Sequence, residues 1–288
     1  MYTPGPYQIV KASGEQEDFS EAKLVRSLAT SGMSVSMANQ TLEHIKKDLR
    51  PGISTHDIFN DVSTYLRENA PIQNYFNYGL KRAMMRLGPS GHPFERLIGD
   101  LLEAMGYETQ VSVTLGGNCV THEIDVIAVK EKKTYFIECK YHNQPGTRSD
   151  VQVALYTYAR FLDIQKAMQA MFDADKTYHP WLTVNTKLTY DAVDYSKCMN
   201  IKTTTWSFPK DESLHKMIVD TGIHPITVLD SLPEDKLQLL LGRNIVTCAR
   251  LKAAIDHDSV SDILSVGELT RIEEDIKAIC QTYGEHHN

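Results

Sequence analysis

EIDVIAVKEKKTYFIECK, residues 123–140, decides how this chain folds. Two apolar runs, 124–129 and 134–140, are rich in Ile, Val, Tyr and Phe and flank the charged stretch Lys130-Glu131-Lys132-Lys133. Short β-branched and aromatic runs on either side of a polar turn predict a β-hairpin. A tight turn centred between Glu131 and Lys132 pairs residues whose numbers sum to 263. Asp125 then lies opposite Glu138, with Cβ atoms roughly 5 Å apart. Side chains alternate along a strand, so Glu138 and Lys140 share one face and Cys139 points to the other. Two carboxylates and an ammonium converge on strands that are otherwise apolar, and charge in such a place is costly unless something there requires it.

Left to themselves, the two carboxylates repel, and one of them holds a proton more tightly than usual. A divalent cation removes that penalty. An all-oxygen ligand set favours Mg²⁺ or Mn²⁺ over zinc, which usually takes Cys or His. Such a cation would polarise a phosphate and help form hydroxide, while Lys140 would stabilise the charge that builds on the phosphorane. The same spacing also fits a plain cross-strand salt bridge between Lys140 and one of the carboxylates.

Composition sets wide bounds. At 288 residues and 42% hydrophobic content, the length allows about two domains with ordinary globular cores. No apolar run approaches the roughly 20 residues of a membrane span, and MYTPGPYQIV does not read as a signal peptide. Five cysteines, at 119, 139, 198, 248 and 280, are scattered and form no CxxC. That usage predicts reduced thiols in a cytoplasm and no structural zinc. His286-His287 reads as a solvated tail. The net charge of −7 argues against tight, nonspecific DNA binding. Its distribution matters more: residues 1–90 carry 10 basic and 9 acidic groups, 91–210 carry 13 and 14, and 211–288 carry 7 and 14. The near-neutral middle can still meet a phosphate backbone through metals and local Lys and Arg.

The pattern along the chain predicts three parts: 1–90, 91–210 and an acidic helical stretch, 211–288. The first opens with Tyr7-Gln-Ile-Val-Lys11 and a polar turn at Ser13-Gly14-Glu15. Ser20 is placed to cap a helix from Glu21 to about Ser31. Amphipathic helices follow over about 35–49, 55–68 and 71–87, and Gly88-Pro89-Ser90-Gly91 reads as a linker. In the middle part, Phe94, Leu97, Ile98, Leu101, Leu102 and Met105 form a helical stripe. Residues 149–171 are helical by pattern, with Gln152 and Tyr156 four apart on one face. Residues 181–186 and 201–206 read as further strands, with a helix from about Tyr190 between them. Together these predict an α/β multidomain chain whose central sheet has helices on both faces. In the last part, the turn at Gly242 and Arg243 lacks the Gly-rich amides of a phosphate-holding hairpin, which favours an interaction or dimerisation module.

Five segments, in order, carry a resemblance. GHPFERLIGDLLEAMGY looks like the opening helix, EIDVIA the Asp motif and ECK the ExK motif of the Mrr-like branch of the PD-(D/E)xK nucleases. RSDVQVALYTYARF resembles the helix that follows, and WLTVNTKLTYDAVDYSKCMNI the later strand–helix unit. The resemblance spans about His92 to Pro209. It implies a mixed sheet flanked by helices and a DNA endonuclease with Asp125 and Glu138 on Mg²⁺ or Mn²⁺. It also implies Lys140 as transition-state stabiliser, Gln152 as the residue that holds the attacking water or a phosphate, and Glu95 as a supporting carboxylate. For Glu95 and Gln152, an exposed helix position is the competing reading. Arg148 and Arg160 rank below Gln152 as phosphate contacts, and His142 and His122 carry only the weight of single histidines near the motif. One departure is the Gly-rich stretch before the Asp, shortened here to Gly116-Gly117 followed by NCVTHE, which leaves the shape of that loop open.

IVKASGEQEDFSEAKLVRSL in turn resembles the ATP-cone, a helical domain that binds purine nucleotides in regulators of ribonucleotide reductase. Lys11 matches its first basic position and Lys23 its helix Lys, with Arg26 one turn further on; Ala12 stands where an Arg is expected. The resemblance implies ATP or dATP as a regulatory ligand, or a degenerate cone that only mediates assembly. Cutting both strands of a duplex needs two sites, so a homo-oligomer, most simply a dimer, is expected. The competing expectation is a non-catalytic, nucleotide-sensing DNA-binding regulator on a retired nuclease fold.

Overall fold

The computed structural model describes residues 7–11, 13–168 and 176–280. Ala12 and His286-His287 lie outside the described residues. The chain forms two compact units, Met1–Leu80 and Lys81–Asn288.

The first unit begins with β1 (Gln8–Val10) and β2 (Gln16–Asp18), an antiparallel hairpin, followed by α1 (Glu21–Thr30) and α2 (Val35–Asp48). After them, β3 (Ile53–Ser54) joins β1 in parallel, giving the order β2-β1-β3. Two residues are too few to show the alternation that marks a strand, and the sequence pattern does not reveal β3. The unit continues with α3 (Thr55–Asn69) and α4 (Ile72–Met85), a helix that runs past Leu80. Ser20, Ser34 and Ser54 cap the first three helices, accepting the backbone N–H groups of Lys23, Met37 and Asp57. Each cap satisfies a donor that the first helical turn would leave bare. Leu24, Leu28, Leu42, Ile45, Val62 and Leu66 pack with Ile9 and Ile53 into one core.

The second unit holds α5 (His92–Ala104), β4 (Glu108–Gly116), β5 (Thr121–Lys130) and β6 (Lys133–Lys140). Next come β7 (Arg148–Ser149), α6 (Val151–Met168), β8 (Thr177–Val184), β9 (Lys187–Leu188), α7 (Tyr190–Cys198) and β10 (Lys202–Thr204). Its five-stranded sheet has the order β10-β8-β6-β5-β4. The β4–β5 and β5–β6 pairs are antiparallel and β6–β8 and β8–β10 parallel, which makes the sheet mixed. β8 begins and ends earlier than the sequence pattern suggests. β4 is an edge strand whose residues alternate between exposed and half-buried; Val111, Val113 and Leu115 take the half-buried positions between Ser112 and Thr114, a period of two that the sequence carries and the reading above does not single out.

Leu182 and Val184 of β8 pack with Ala154 of α6 and Ala192 of α7, and Phe136 and Ile124 with Phe161 and Ile164 of α6. Trp181, one residue along from Leu182, instead meets Tyr135 and Tyr107. α5 packs against β4 and β5. The chain then adds α8 (Leu214–Thr221), a 3-10 turn (Ile226–Val228), α9 (Glu234–Gly242), α10 (Cys248–Asp256) and α11 (Val266–Cys280). These helices are tied to the sheet-bearing part: Asp100 of α5, only 7% exposed, accepts from Arg250 at 2.6 and 2.8 Å and from Thr247 at 3.1 Å. No helix among the described residues is long and apolar enough to cross a membrane.

Candidate active site

The hairpin pairs Val126 with Ile137 and Lys130 with Lys133, the register expected from its turn. One step further along that register, Asp125 and Glu138 stand opposite each other, but the regular ladder has already ended. In its place the Cys139 backbone N–H donates to Asp125 Oδ2 at 2.6 Å. On the other side of β5, Val111 pairs with Val126 and Val113 with Ile124, which sets Ser112 across from Asp125. Ser112 adopts a left-handed backbone, with φ of 56°. Both neighbours of β5 therefore depart from regular pairing at Asp125. Positions of this kind are enriched at functional sites, because the strain must be held by the surroundings.

The electrostatics of the pair follow from burial. Loss of water, and then the Glu138 charge, push the Asp125 carboxyl up to about 7, against the pull of the Cys139 hydrogen bond. Burial also raises Glu138, with Arg160 and Lys140 opposing the rise. Glu95 adds to the rise at both carboxyls. The site thus has more negative charge than its surroundings satisfy. Burial likewise pushes the Cys139 thiol well up, so it stays neutral.

Arg160 reaches across from α6. Its Nη1 donates to Glu138 Oε2 at 2.5 Å, with the two side chains 13% and 15% exposed. Its Nη2 donates to the Tyr156 hydroxyl, and the guanidinium also stacks 4.4 Å above the Tyr156 ring centre. The Arg160 Nε is buried without a hydrogen-bond partner among the described residues. Gln152, Tyr156 and Arg160 follow one another at four-residue steps, and so lie along one side of α6. Of these it is Arg160, ranked lower from sequence, that touches the carboxylate pair.

The other expected residues fall as follows. Lys140 is exposed, and its ammonium has no hydrogen-bond or ion-pair partner among the described residues. It is near enough to Glu138 to oppose that group's rise. The cross-strand salt bridge that its spacing allows is not formed. Glu95, on α5, meets His92 Nδ1 at 3.2 Å and accepts from Ser112 Oγ at 3.4 Å. Gln152 is exposed in the first turn of α6, where its backbone N–H donates to Asp150 at 3.0 Å; no contact joins its side chain to Asp125 or Glu138. His142 Nε2 lies 2.8 Å from Ser149 Oγ, and burial and Lys140 lower its proton affinity. Its backbone is clamped by Asn185, which accepts from the His142 N–H at 2.8 Å and donates to its carbonyl at 2.7 Å. Arg148 begins the short β7 strand and pairs with Lys187 of β9.

Asp163 of α6 is a residue that the sequence reading does not single out. It accepts from the backbone N–H groups of Cys119 at 2.9 Å and Val120 at 3.3 Å, and meets His122 Nε2 at 2.8 Å. The His122 hydrogen bond, followed by those of the turn, brings its carboxyl down to about 2. Gly117 lies under this carboxylate; a Cβ there would collide with Asp163 and come within 2.6 Å of the Val120 carbonyl. The shortened loop is thus a tight turn closed by a helix carboxylate, and its glycine is needed for close approach. His122 belongs to this closure.

Within the first unit, Glu17 lies 3.0 Å from Lys11 and 2.9 Å from Lys23, so the two lysines converge on one carboxylate. Lys11 also meets Glu15 at 3.1 Å. Arg26 is exposed and points to no partner among the described residues.

Among the described residues, no three His, Cys, Asp or Glu side chains close on one point as a complete metal cage would. The donor chemistry nevertheless suits a hard divalent cation: two half-buried carboxyls with raised proton affinity, one of them bonded only by a neutral backbone N–H.

Residues 88–202 match the Mrr-type restriction endonuclease catalytic family. An uncharacterized protein of Archaeoglobus fulgidus is 38% identical over 154 residues, which cover 54% of this chain and 83% of that protein. The chain belongs to the same family as that protein and carries a restriction-endonuclease domain. The crystal structure of AF1548, a protein of unknown function, is similar at 34% identity and a TM-score of 0.55, over 67% of this chain and 100% of that one. Asp125, Glu138 and Lys140 all lie within the matched endonuclease domain, as do Glu95, Gln152 and Arg160.

Proposed function

We propose that this restriction-like nuclease is a divalent-metal-dependent endonuclease that hydrolyses DNA phosphodiesters. The observation that carries this reading is the Asp125–Glu138 pair, two half-buried carboxyls both raised in proton affinity inside the matched nuclease domain. A retired fold has no need to keep them, since buried like charges cost stability.

In this reading Asp125 and Glu138 hold Mg²⁺ or Mn²⁺, which when bound supplies the Lewis acidity that polarises a phosphodiester and activates water. Lys140, exposed and unpaired, offers its ammonium to the charge that develops on the phosphoryl oxygens. Glu95 supports the pair from α5, held by His92 and Ser112. Gln152 orients water or a neighbouring phosphate after turning inward from its exposed position. Arg160 neutralises part of the Glu138 charge while the cation is absent.

The same reading gives the first unit a regulatory part. ATP or dATP would take the place of Glu17 on Lys11 and Lys23, with Arg26 nearby, and change the assembly of a homo-dimer. Residues 211–288 serve interaction or dimerisation. Sedimentation with ATP, ADP and dATP tests the gate, which is abandoned if neither oligomer mass nor cutting rate responds to any of them.

Labelled duplex DNA, single-stranded DNA and RNA of one sequence, incubated with Mg²⁺, Mn²⁺ or chelator, test the function itself. Internal cleavage of DNA that needs metal is expected. Cleavage of RNA alone would replace the substrate, and no cleavage of any of them would favour a DNA-binding regulator.

A further inference from the structure

Beside the candidate site, a cleft of about 790 Å³ opens between the start of α5, β4 and the turn that joins α9 to α10. Its polar lining consists mainly of Arg96, Arg250, His92, Ser112, Gln238 and Asn244, and none of the described residues lining it is Asp or Glu. The chain has 37 acidic residues against 30 basic ones, and its last third is the most acidic part. A carboxylate-free wall contributed partly by that last third is therefore not a sample of the surface.

Its cationic groups are also held in place. Asp100 beneath them fixes Arg96 through Nε at 2.9 Å and Arg250 through Nε and Nη2 at 2.6 and 2.8 Å. Arg96 Nη2 also meets Glu103 at 3.3 Å, but Glu103 does not line the cleft. The Nη1 group of each arginine has no partner among the described residues. Planar donors fixed in this way lose little entropy when they take up an oxyanion. Ser112 links the cleft to the chemistry, because it lines the cleft, bonds Glu95 and stands across β4–β5 from Asp125.

We infer that this cleft binds the sugar-phosphate backbone of the substrate strand next to the scissile phosphate, with the C-terminal helices forming one of its walls. A polymer must continue past the reacting phosphate, and this is a donor-lined surface that adjoins the carboxylate pair. The inference rests on the nuclease reading and adds to it a substrate-binding role for residues 234–250, well beyond the matched endonuclease domain.

The test measures anisotropy of a fluorescein-labelled 20-base-pair duplex on full-length protein carrying Lys140→Ala, without metal, across a salt series. Asn244→Asp, alone and with Gln238→Glu, adds charge at nearly constant shape, the second change also giving up the hydrogen bond from Gln238 Nε2 to Glu234 at 3.1 Å; Asp tolerates the left-handed backbone of Asn244, at φ 59°. Binding is expected to weaken about tenfold at low salt. Gln238→Lys should tighten it and steepen the slope of log affinity against log salt by about one. Unchanged affinity and slope in all these variants, with duplex still bound, would overturn the cleft and leave the nuclease reading standing. No duplex binding before any cleft substitution, together with no metal-dependent cutting by the wild type, would overturn both.

Discussion

Replacing Asp125 by Asn should make the protein more stable at pH 8 and leave it nearly unchanged at pH 4. The folded carboxyl sits at about 7, raised by burial and by Glu138, whereas in the unfolded chain it returns to about 4. Below about pH 4 both states hold the proton, and Asp125 contributes no penalty. Between about pH 4 and 7 the folded state holds more protons than the unfolded one, so stability falls as pH rises, and above that window the penalty is constant. A displacement of this size corresponds to up to about 4 kcal/mol. Asn removes the ionisable group while its side-chain oxygen can still accept the Cys139 N–H. Urea unfolding of both proteins at pH 4, 6 and 8 gives the difference directly, and subtracting the curves cancels groups remote from Asp125, such as Asp163, leaving Asp125 together with its coupling to Glu138. Adding Mn²⁺ at pH 8 should stabilise the wild type and not the variant. Parallel stability curves for the two proteins would refute the reasoning, because Asp125 would then ionise as freely folded as unfolded.

Arg160→Met leaves Glu138 buried without its cation. Breaking such a pair typically costs about 3–5 kcal/mol, but loss of the unpartnered Nε and uptake of a proton by Glu138 offset part of that, leaving about 2–3 kcal/mol. Adding Glu138→Gln should restore most of it, and a double variant as unstable as Arg160→Met would show that the two do not act as a pair. Gly117→Ala forces a methyl against Asp163 and the Val120 carbonyl, for an expected loss of about 1–3 kcal/mol. Hydrogen exchange should quicken at the Cys119 and Val120 amides; unchanged protection would mean that the turn does not depend on Asp163.

What the sequence reveals and what it hides divide along physical lines. The hairpin register is legible because a turn and two apolar runs fix it locally, and the start of α1 is legible because Ser20 stands at its cap. β3 is too short to show a period, whereas β4 shows one, with Val111, Val113 and Leu115 alternating with Ser112 and Thr114, and is legible although the reading above does not use it. The Arg160–Glu138 pair and the Asp163 closure are contacts between a helix and a sheet distant in sequence. Four-residue spacing gives the side of α6 on which Gln152, Tyr156 and Arg160 lie, but not which of them reaches the carboxylates. Glu17 between Lys11 and Lys23 is hidden for the same reason, since local charge counts do not tell which groups meet.

Conversion of supercoiled plasmid to nicked and linear forms, with Mg²⁺ or Mn²⁺, by the wild type and by Lys140→Ala is the most direct test of the nuclease centre. Lys140 is exposed and makes no side-chain hydrogen bond or ion pair among the described residues, so its removal should spare the fold. Metal-dependent conversion by the wild type and a loss of about 10²–10³ in rate for the variant are expected. Equal cutting by Lys140→Ala, or no cutting by the wild type with either metal, would contradict that expectation.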